Sequence, residues 1–268
     1  GFTNIRGRHK DSFENQLAQQ VKSKIVYNSS YSYEQLLKEY THVVLATGDA
    51  TYASSIQDYR IDLTVTLKGA TIAGQFDPHT VQAWLDHQLA PQGYGYLIPF
   101  SEKEANIVIA FPEYHKNNNR TTNRLWDNFF LRVGKDLQLN MKISDMFEIS
   151  NYIIGICKYP RIGNTFFVGN CFGSIMPFLG FGQFVALLTG IYAAHDICGL
   201  GDYQVLTQPL RHSYENSLVL RRSLEMLDNQ QLDKVVEKLN GRLGNLLFTS
   251  KHYDFLKLAA RFLKPLLR

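Results

Sequence analysis

The chain has 268 residues, which is enough for one large domain or two small ones with a sizeable hydrophobic core. Hydrophobic residues make up 45% of the chain and charged residues 19%, so the composition excludes an intrinsically disordered protein. The net charge of +4 is scattered except at the C-terminal end, and it indicates no nucleic-acid partner.

The first part of the chain has the pattern of a parallel α/β unit. Residues 11–22 begin with the candidate N-caps Asp11 and Ser12 and place apolar side chains on one face, which predicts a helix. A short strand is predicted over residues 24–27. Residues 42–48, HVVLATG, are an apolar run stopped by glycine, and a strand that is apolar on both faces is typical of a buried parallel sheet.

The middle of the chain has a different pattern, which predicts an antiparallel sheet with helices. Residues 61–75 alternate apolar and polar side chains, as a half-buried strand does. Residues 77–89 are predicted to form a helix with Pro78 at its first position. Beyond it we expect a hairpin over 95–111, a helix over 121–137 and a long strand over 145–159.

Residues 166–194, FFVGNCFGSIMPFLGFGQFVALLTGIYAA, allow two interpretations. An apolar strand ends in glycine and leads into a glycine-rich helix start, which suits an anion or a cofactor because a helix N-terminus offers unpaired N–H groups. The alternative is a membrane span, since residues 171–194 contain no charged residue. We favour the cofactor loop, because glycines and Pro177 interrupt the first half of the run. Further helices are predicted over 202–227, 231–239, 243–248 and 252–267.

The order of these elements predicts a discontinuous arrangement of domains. A parallel α/β unit over residues 1–55 resumes at 160–268, and an antiparallel sheet domain over 56–159 is inserted between its two parts. The content of 15 Tyr and 17 Phe favours a β-rich core over a roomy apolar pocket.

The cysteines and histidines indicate no metal centre. Cys157, Cys171 and Cys198 lie at no metal-like spacing, and the eight histidines share no ligand spacing. We interpret the cysteines as buried, reduced thiols of a cytoplasmic protein.

Three segments resemble the FAD-dependent oxidoreductases of the geranylgeranyl reductase family. Residues 42–54, HVVLATGDATYAS, resemble the second cofactor motif, an apolar strand that ends in a small-residue turn. Residues 94–111 resemble the aromatic hairpin over the flavin, and residues 166–194 resemble the third motif of the superfamily. The resemblance implies an α/β fold (α+β overall), with an incomplete Rossmann-like FAD-binding domain, an inserted antiparallel sheet for the substrate and a helical C-terminus.

The resemblance also implies which residues contact FAD. The turn at Thr47-Gly48 would let the backbone pass close to the dinucleotide, and Asn170 would lie against the ribityl chain. The family has Asp where this chain has Asn170, but an amide oxygen also accepts a hydrogen bond from a hydroxyl. The residues expected to contact FAD are Arg8, Thr47, Gly48, Gly169, Asn170, Pro177, Gly180 and Gly182.

The activity implied is that of a flavin-dependent dehydrogenase or reductase on an apolar small molecule, such as an isoprenoid or a lipid. No catalytic acid–base side chain is expected, because the flavin carries the hydride chemistry. The expected walls of the substrate pocket, which are equally compatible with an ordinary core, are Trp84, Tyr94, Tyr96 and Phe111. The C-terminal helix is amphipathic, so peripheral contact with an anionic membrane is an alternative to docking on the protein.

One motif of the family is absent from the sequence. No G-x-G-x-x-G loop occurs in it, and in the family that loop holds the pyrophosphate of FAD. The chain therefore resembles a flavoprotein without its N-terminal ADP-binding half. The alternative function is a non-catalytic module that binds an apolar ligand or a protein partner without FAD.

Overall fold

The computed structural model describes residues 5, 7, 9–114, 122–239 and 255–264. The helices are α1 (Phe13–Gln20), α2 (Tyr33–Glu39), α3 (Thr51–Ile56), α4 (Thr122–Leu137), α5 (Gln183–Ile197), α6 (Tyr203–Glu225), α7 (Asn229–Leu239) and α8 (Phe255–Leu263). The strands are β1 (Val43–Leu45), β2 (Tyr59–Ala73), β3 (Gln82–Trp84), β4 (Tyr94–Pro99), β5 (Glu104–Pro112), β6 (Lys142–Cys157), β7 (Arg161–Ile162) and β8 (Thr165–Phe167).

The strands form two sheets of different types. In the smaller sheet, of order β1-β8-β7, β1 runs parallel to β8 although more than a hundred residues separate them in the chain. The larger sheet is antiparallel throughout and has the order β3-β4-β5-β2-β6. The predicted class, mixed α/β with an antiparallel sheet between two parts of a parallel unit, is confirmed.

One face of the antiparallel sheet is covered by α4. This helix places Leu125, Trp126, Phe129 and Val133 on its buried side, and they pack on Ile107 and its neighbours in the sheet. The opposite face of β4 carries Tyr94 and Tyr96, because side chains alternate along a strand. The sheet therefore has a closed face toward α4 and a second face that is free to line a site.

Two predicted elements differ in the structure. The predicted helix over 77–89 is wrong, because residues 82–84 form β3 and pair with β4, Ala83 opposite Tyr96. The pairing satisfies the backbone groups of an otherwise free sheet edge, and this tertiary gain overrides the local helical pattern. The predicted strand over 24–27 is also wrong, since these residues are exposed and belong to no sheet.

A second core lies under the small sheet. Phe167, Cys171 and Phe172 are fully buried there together with Val185 of α5. The hydroxyl of the buried Tyr203 donates to the carbonyl oxygen of Phe167 at 2.7 Å, which ties α6 to β8.

The cysteines are only partly as expected. Cys157 and Cys171 are buried, and burial raises the pKa of the Cys157 thiol to about 12. Cys198 is exposed, so the expectation of three buried thiols is wrong at this position, which follows the last turn of α5 at the surface.

The helices of the C-terminal part match the prediction where the structure describes them. The helix predicted over 243–248 lies outside the described residues. Helix α8 packs against α6, which is the docking on the protein that the sequence analysis set beside membrane contact. No helix in the described ranges combines the length and the apolar character that a membrane crossing requires.

Candidate functional site

Two loops meet where the parallel strands β1 and β8 end. Leu45 lies opposite Phe167 in the strand pair, and Val168 N donates to Leu45 O at 3.0 Å. The turn at Thr47-Gly48 and the residues Gly169-Asn170 therefore emerge at the same edge of the sheet. The carboxyl ends of parallel strands are the usual place for ligands in α/β folds.

Asn170 joins these loops to the antiparallel sheet. Its Nδ2 donates to the carbonyl oxygen of Gly48 at 2.5 Å and to the hydroxyl oxygen of Tyr152 at 2.6 Å. Its Oδ1 accepts from Ser174 at 2.5 Å, and Tyr152 also donates to Gly48 O at 2.9 Å. The two donor bonds explain why an amide occupies this position, since a carboxylate could not donate to a carbonyl oxygen.

The loop before α5 is held by the hairpin strand β4. The hydroxyl of Tyr94 donates to Leu179 O at 2.5 Å, and Gly180 N donates to Met176 O at 2.9 Å within the loop. Helix α5 then begins after Gly182, which has no side chain to cap it. The N-terminus of α5 therefore has no side-chain cap, and the positive end of the helix dipole lies at the loop.

These segments enclose an open cleft of about 430 Å³. Above Gly48, which has a φ of +86°, an added Cβ would meet no atom within 4 Å, so the backbone of the turn itself forms the cleft surface. The lining residues are Ala46, Gly48, Tyr152, Val168, Gly169, Asn170, Ile175, Gly180, Gly182, Gln183 and Ala186.

Five of the residues predicted to contact FAD lie together at this cleft, whereas two other described ones do not. Thr47 Oγ1 donates to Asp49 O and lies 3.1 Å from Cys171 Sγ, behind the cleft. Pro177 lines a neighbouring cavity instead. Arg8 lies outside the described residues. Tyr152 was not predicted as a site residue, because it comes from the distant strand β6.

The neighbouring cavity has a volume of about 120 Å³ and mostly apolar walls. Tyr94, Tyr96 and Phe111, three of the predicted substrate residues, line it. Trp84 instead packs edge-on against Phe129 on the α4 side of the sheet, and its Nε1 donates to Asp136 at 2.8 Å. The described residues that line it are Leu63, Val65, Leu67, Tyr94, Tyr96, Ala110, Phe111, Pro112, Tyr152, Ile154, Ile175, Pro177, Gly180 and Arg221.

The cleft and the cavity adjoin each other. Tyr152, Ile175 and Gly180 line both of them, so a ligand in the cleft would lie directly beside one in the cavity. Burial raises the pKa of Tyr94 to about 12, against the opposing effect of the positive charge on Arg221. Tyr94 is therefore protonated at neutral pH and acts as a hydrogen-bond donor to the loop.

An Asn170→Asp substitution is expected to destabilise the protein by about 1–3 kcal/mol at neutral pH, because it places a carboxylate oxygen against the carbonyl of Gly48. Only the protonated carboxyl can donate there, so its pKa is raised in the folded state. The loss of stability is therefore smallest at about pH 4, and it grows as the pH rises through the raised pKa of the new carboxyl group. Urea unfolding of both proteins near pH 4 and near pH 7, about three units apart, measures the difference.

Asn123→Asp is the matched control for this substitution. The Oδ1 of Asn123 accepts a hydrogen bond from Lys68 Nζ, so a carboxylate is tolerated there. A loss at position 170 that does not depend on pH would contradict the donor role of Asn170.

Comparison with known proteins supports the resemblance at the level of the fold. No protein-family model matches the sequence. A solved structure of a geranylgeranyl bacteriochlorophyll reductase-like protein from Thermoplasma acidophilum is 19% identical and has a TM-score of 0.56, covering 74% of this chain and 51% of that protein. The flavin-dependent brominase Bmp2 is 14% identical with a TM-score of 0.54, covering 84% of this chain and 62% of that protein.

The flavin-dependent halogenase CmlS shares the fold as well. It is 11% identical with a TM-score of 0.54, covering 84% of this chain and 49% of the halogenase. The chain therefore has the fold of flavin-dependent oxidoreductases, and it spans between 49% and 62% of the length of these three proteins.

Proposed function

We propose that the chain belongs to an FAD-dependent oxidoreductase that acts on an apolar small molecule. The observation that carries the proposal is the contact between the glycine-lined cleft and the aromatic cavity through Tyr152, Ile175 and Gly180. A flavoenzyme needs a substrate beside the reactive edge of its flavin, and two adjoining sites of this kind meet that need. The fold shared with flavin-dependent enzymes supports the same function.

The cleft fits the flavin part of FAD. The bound group would supply hydride and electron transfer. Gly48 and Gly169 would bring backbone close to the cofactor, and the uncapped N-terminus of α5 would favour the negative charge that develops on reduction. Asn170 Oδ1 accepts one bond from Ser174 and retains a second lone pair for a ribityl hydroxyl.

In this proposal, the two domains have the roles that the sequence indicates. Residues 1–55 and 160–268 contribute the cofactor side, and residues 56–159 contribute the sheet over the substrate. The apolar walls of the cavity favour a hydrophobic substrate, with isoprenoids and lipids as the classes to examine first.

The alternative is a module that binds an apolar ligand without FAD. It is favoured by a specific observation, because side chains of this chain alone form the aromatic cavity, whereas the sequence contains no G-x-G-x-x-G loop for the pyrophosphate.

A flavin titration separates the two functions. We expect the purified chain to quench the fluorescence of added FAD, and a Gly48→Val variant to weaken binding by at least about tenfold because its side chain enters the cleft. Gly163→Val is the matched control, since Gly163 also has a positive φ of +56° and open space around it but lines neither site. Absence of FAD binding by the wild-type chain would overturn the flavoenzyme proposal and leave the alternative.

A further inference from the structure

Two polar side chains that line the apolar cavity make fewer hydrogen bonds to the described residues than they are able to make. Arg221 of α6 and Tyr96 of β4 both line it, among walls that are otherwise almost entirely hydrocarbon and aromatic. Polar groups in such surroundings are normally hydrogen-bonded, so a group with remaining capacity indicates a ligand.

Arg221 has spare donors although its side chain is only 5% exposed. Its Nε donates to Glu225 Oε1 at 2.6 Å, and its Nη2 donates to the carbonyl oxygen of Gln92. Within the part of the chain that the structure describes, no acceptor lies in hydrogen-bonding reach of Nη1. A guanidinium has five N–H donors, so more than one remains for a ligand.

The charge of Arg221 is only partly compensated. Glu225 is shared, since its Oε2 also pairs with Arg222 Nη1 at 3.0 Å and its Oε1 accepts from Tyr114 at 2.6 Å. One carboxylate thus faces two guanidinium groups, and no Asp or Glu is among the described residues that line the cavity. A cation at the wall of a poorly hydrated cavity attracts an anion more strongly than one in water does.

Tyr96 supplies a second donor in the same cavity. The ring lies 5.9 Å from that of Tyr94, and burial raises the pKa of Tyr96 above its ordinary value, which keeps its hydroxyl protonated. Among the described residues no partner for this hydroxyl is found, in contrast to that of Tyr94, which is held by Leu179.

We propose that the cavity binds a carboxylate carried on an apolar body of about the size of one ring, with Arg221 pairing with the carboxylate and Tyr96 donating to it. The volume of about 120 Å³ is close to that of an apolar cavity of about 150 Å³ known to hold benzene. One guanidinium and one phenol suit a single carboxylate, whereas a diphosphate requires several cations. As a statement about the substrate, this inference rests on the proposed function. As a statement about binding, it concerns the chain without flavin.

The test compares benzoate with its neutral isostere benzamide on the full chain, without FAD, by ligand-observed NMR titration. Benzoate is expected to bind at least about tenfold more tightly, since a charge-assisted hydrogen bond replaces a neutral one. Equal affinities, or tighter binding of phenyl phosphate than of benzoate, would overturn the carboxylate assignment.

Substitutions at Arg221 and Tyr96 test whether these residues cause the preference for benzoate over benzamide. Arg221→Gln is expected to abolish it, whereas Arg222→Gln is the matched control, because Arg222 pairs with the same Glu225 but does not line the cavity. Tyr96→Phe removes no hydrogen bond to any described residue, so it is expected to fold as the wild type does and to weaken benzoate binding several-fold. A preference that survives in Arg221→Gln, or benzoate binding that is unchanged in Tyr96→Phe, would overturn the proposal, whichever result the flavin titration gives.

Discussion

Replacement of Phe129 by alanine is expected to lower the free energy of unfolding by about 3–5 kcal/mol, the range found for large buried aromatic side chains. Phe129 is completely buried between α4 and the antiparallel sheet, with the Trp84 ring 5.5 Å away and the Trp126 ring 6.2 Å away. Its ring also lies directly over Gly95 of β4, where an added Cβ would be 2.3 Å from Cε2. The substitution therefore leaves a cavity that neighbouring side chains cannot easily fill.

The close contact with Gly95 allows a sharper test. In the wild type, Gly95→Ala is expected to be destabilising because the new methyl group overlaps the Phe129 ring. In the Phe129→Ala background, the same methyl group enters the empty space, so the two substitutions are expected to couple favourably by about 1–3 kcal/mol.

Urea unfolding of the two single variants and the double variant measures this coupling. Phe184→Ala is the control for the side-chain change, since Phe184 is 72% exposed and its loss removes little buried surface. Additive effects of the two substitutions would show that Phe129 does not hold β4 in the way the structure implies.

The elements with a clear local pattern were predictable from the sequence. The apolar run of β1, the alternation of β2 and the amphipathic period of α4 each match the structure closely. β3 was not predictable from its own residues, because Gln82–Trp84 become a strand only through pairing with β4. Residues 24–27 show the converse. Their apolar pattern predicts a strand, but they pair with none of the strands in the two sheets.

The candidate site shows the same division between local and distant information. Gly48 and Gly169 follow strands with recognisable apolar patterns, and the parallel pairing of those strands then brings them together. The position of Tyr152 at the cleft could not be predicted from the sequence, because irregular pairing between β2 and β6 determines which side chains of β6 reach the cleft. The position of Arg221 in the cavity could not be predicted either. In the sequence it is indistinguishable from a solvent-exposed arginine, and only the packing of α6 buries it.

Loss of Glu225 is the second large effect that we expect. A Glu225→Ala variant should be destabilised by about 3–5 kcal/mol, because removal of one partner of a buried ion pair leaves a charge without compensation. The Glu225 side chain is 9% exposed and accepts from Arg221 Nε, from Arg222 Nη1 and from the Tyr114 hydroxyl. Arg222 is 36% exposed and can turn toward water, whereas Arg221 at 5% cannot.

Glu215→Ala is the matched control, on the same helix and with the same change of residue. Glu215 pairs with Arg60 Nη2 at 2.9 Å, but both side chains are 48% exposed, so the expected loss is below about 1 kcal/mol. Chemical denaturation of both variants measures the difference between the two ion pairs.

The Arg221 charge at the cavity wall gives the Glu225 variant a functional consequence as well as a structural one. If the loss at Glu225 arises from the uncompensated charge of Arg221, then Arg221→Gln in the Glu225→Ala background should recover part of the stability. Benzoate should also stabilise Glu225→Ala more than it stabilises the wild type, because the ligand would replace the missing carboxylate. Equal destabilisation by Glu215→Ala and Glu225→Ala would contradict the buried charge, and with it the electrostatic basis of carboxylate binding in the cavity.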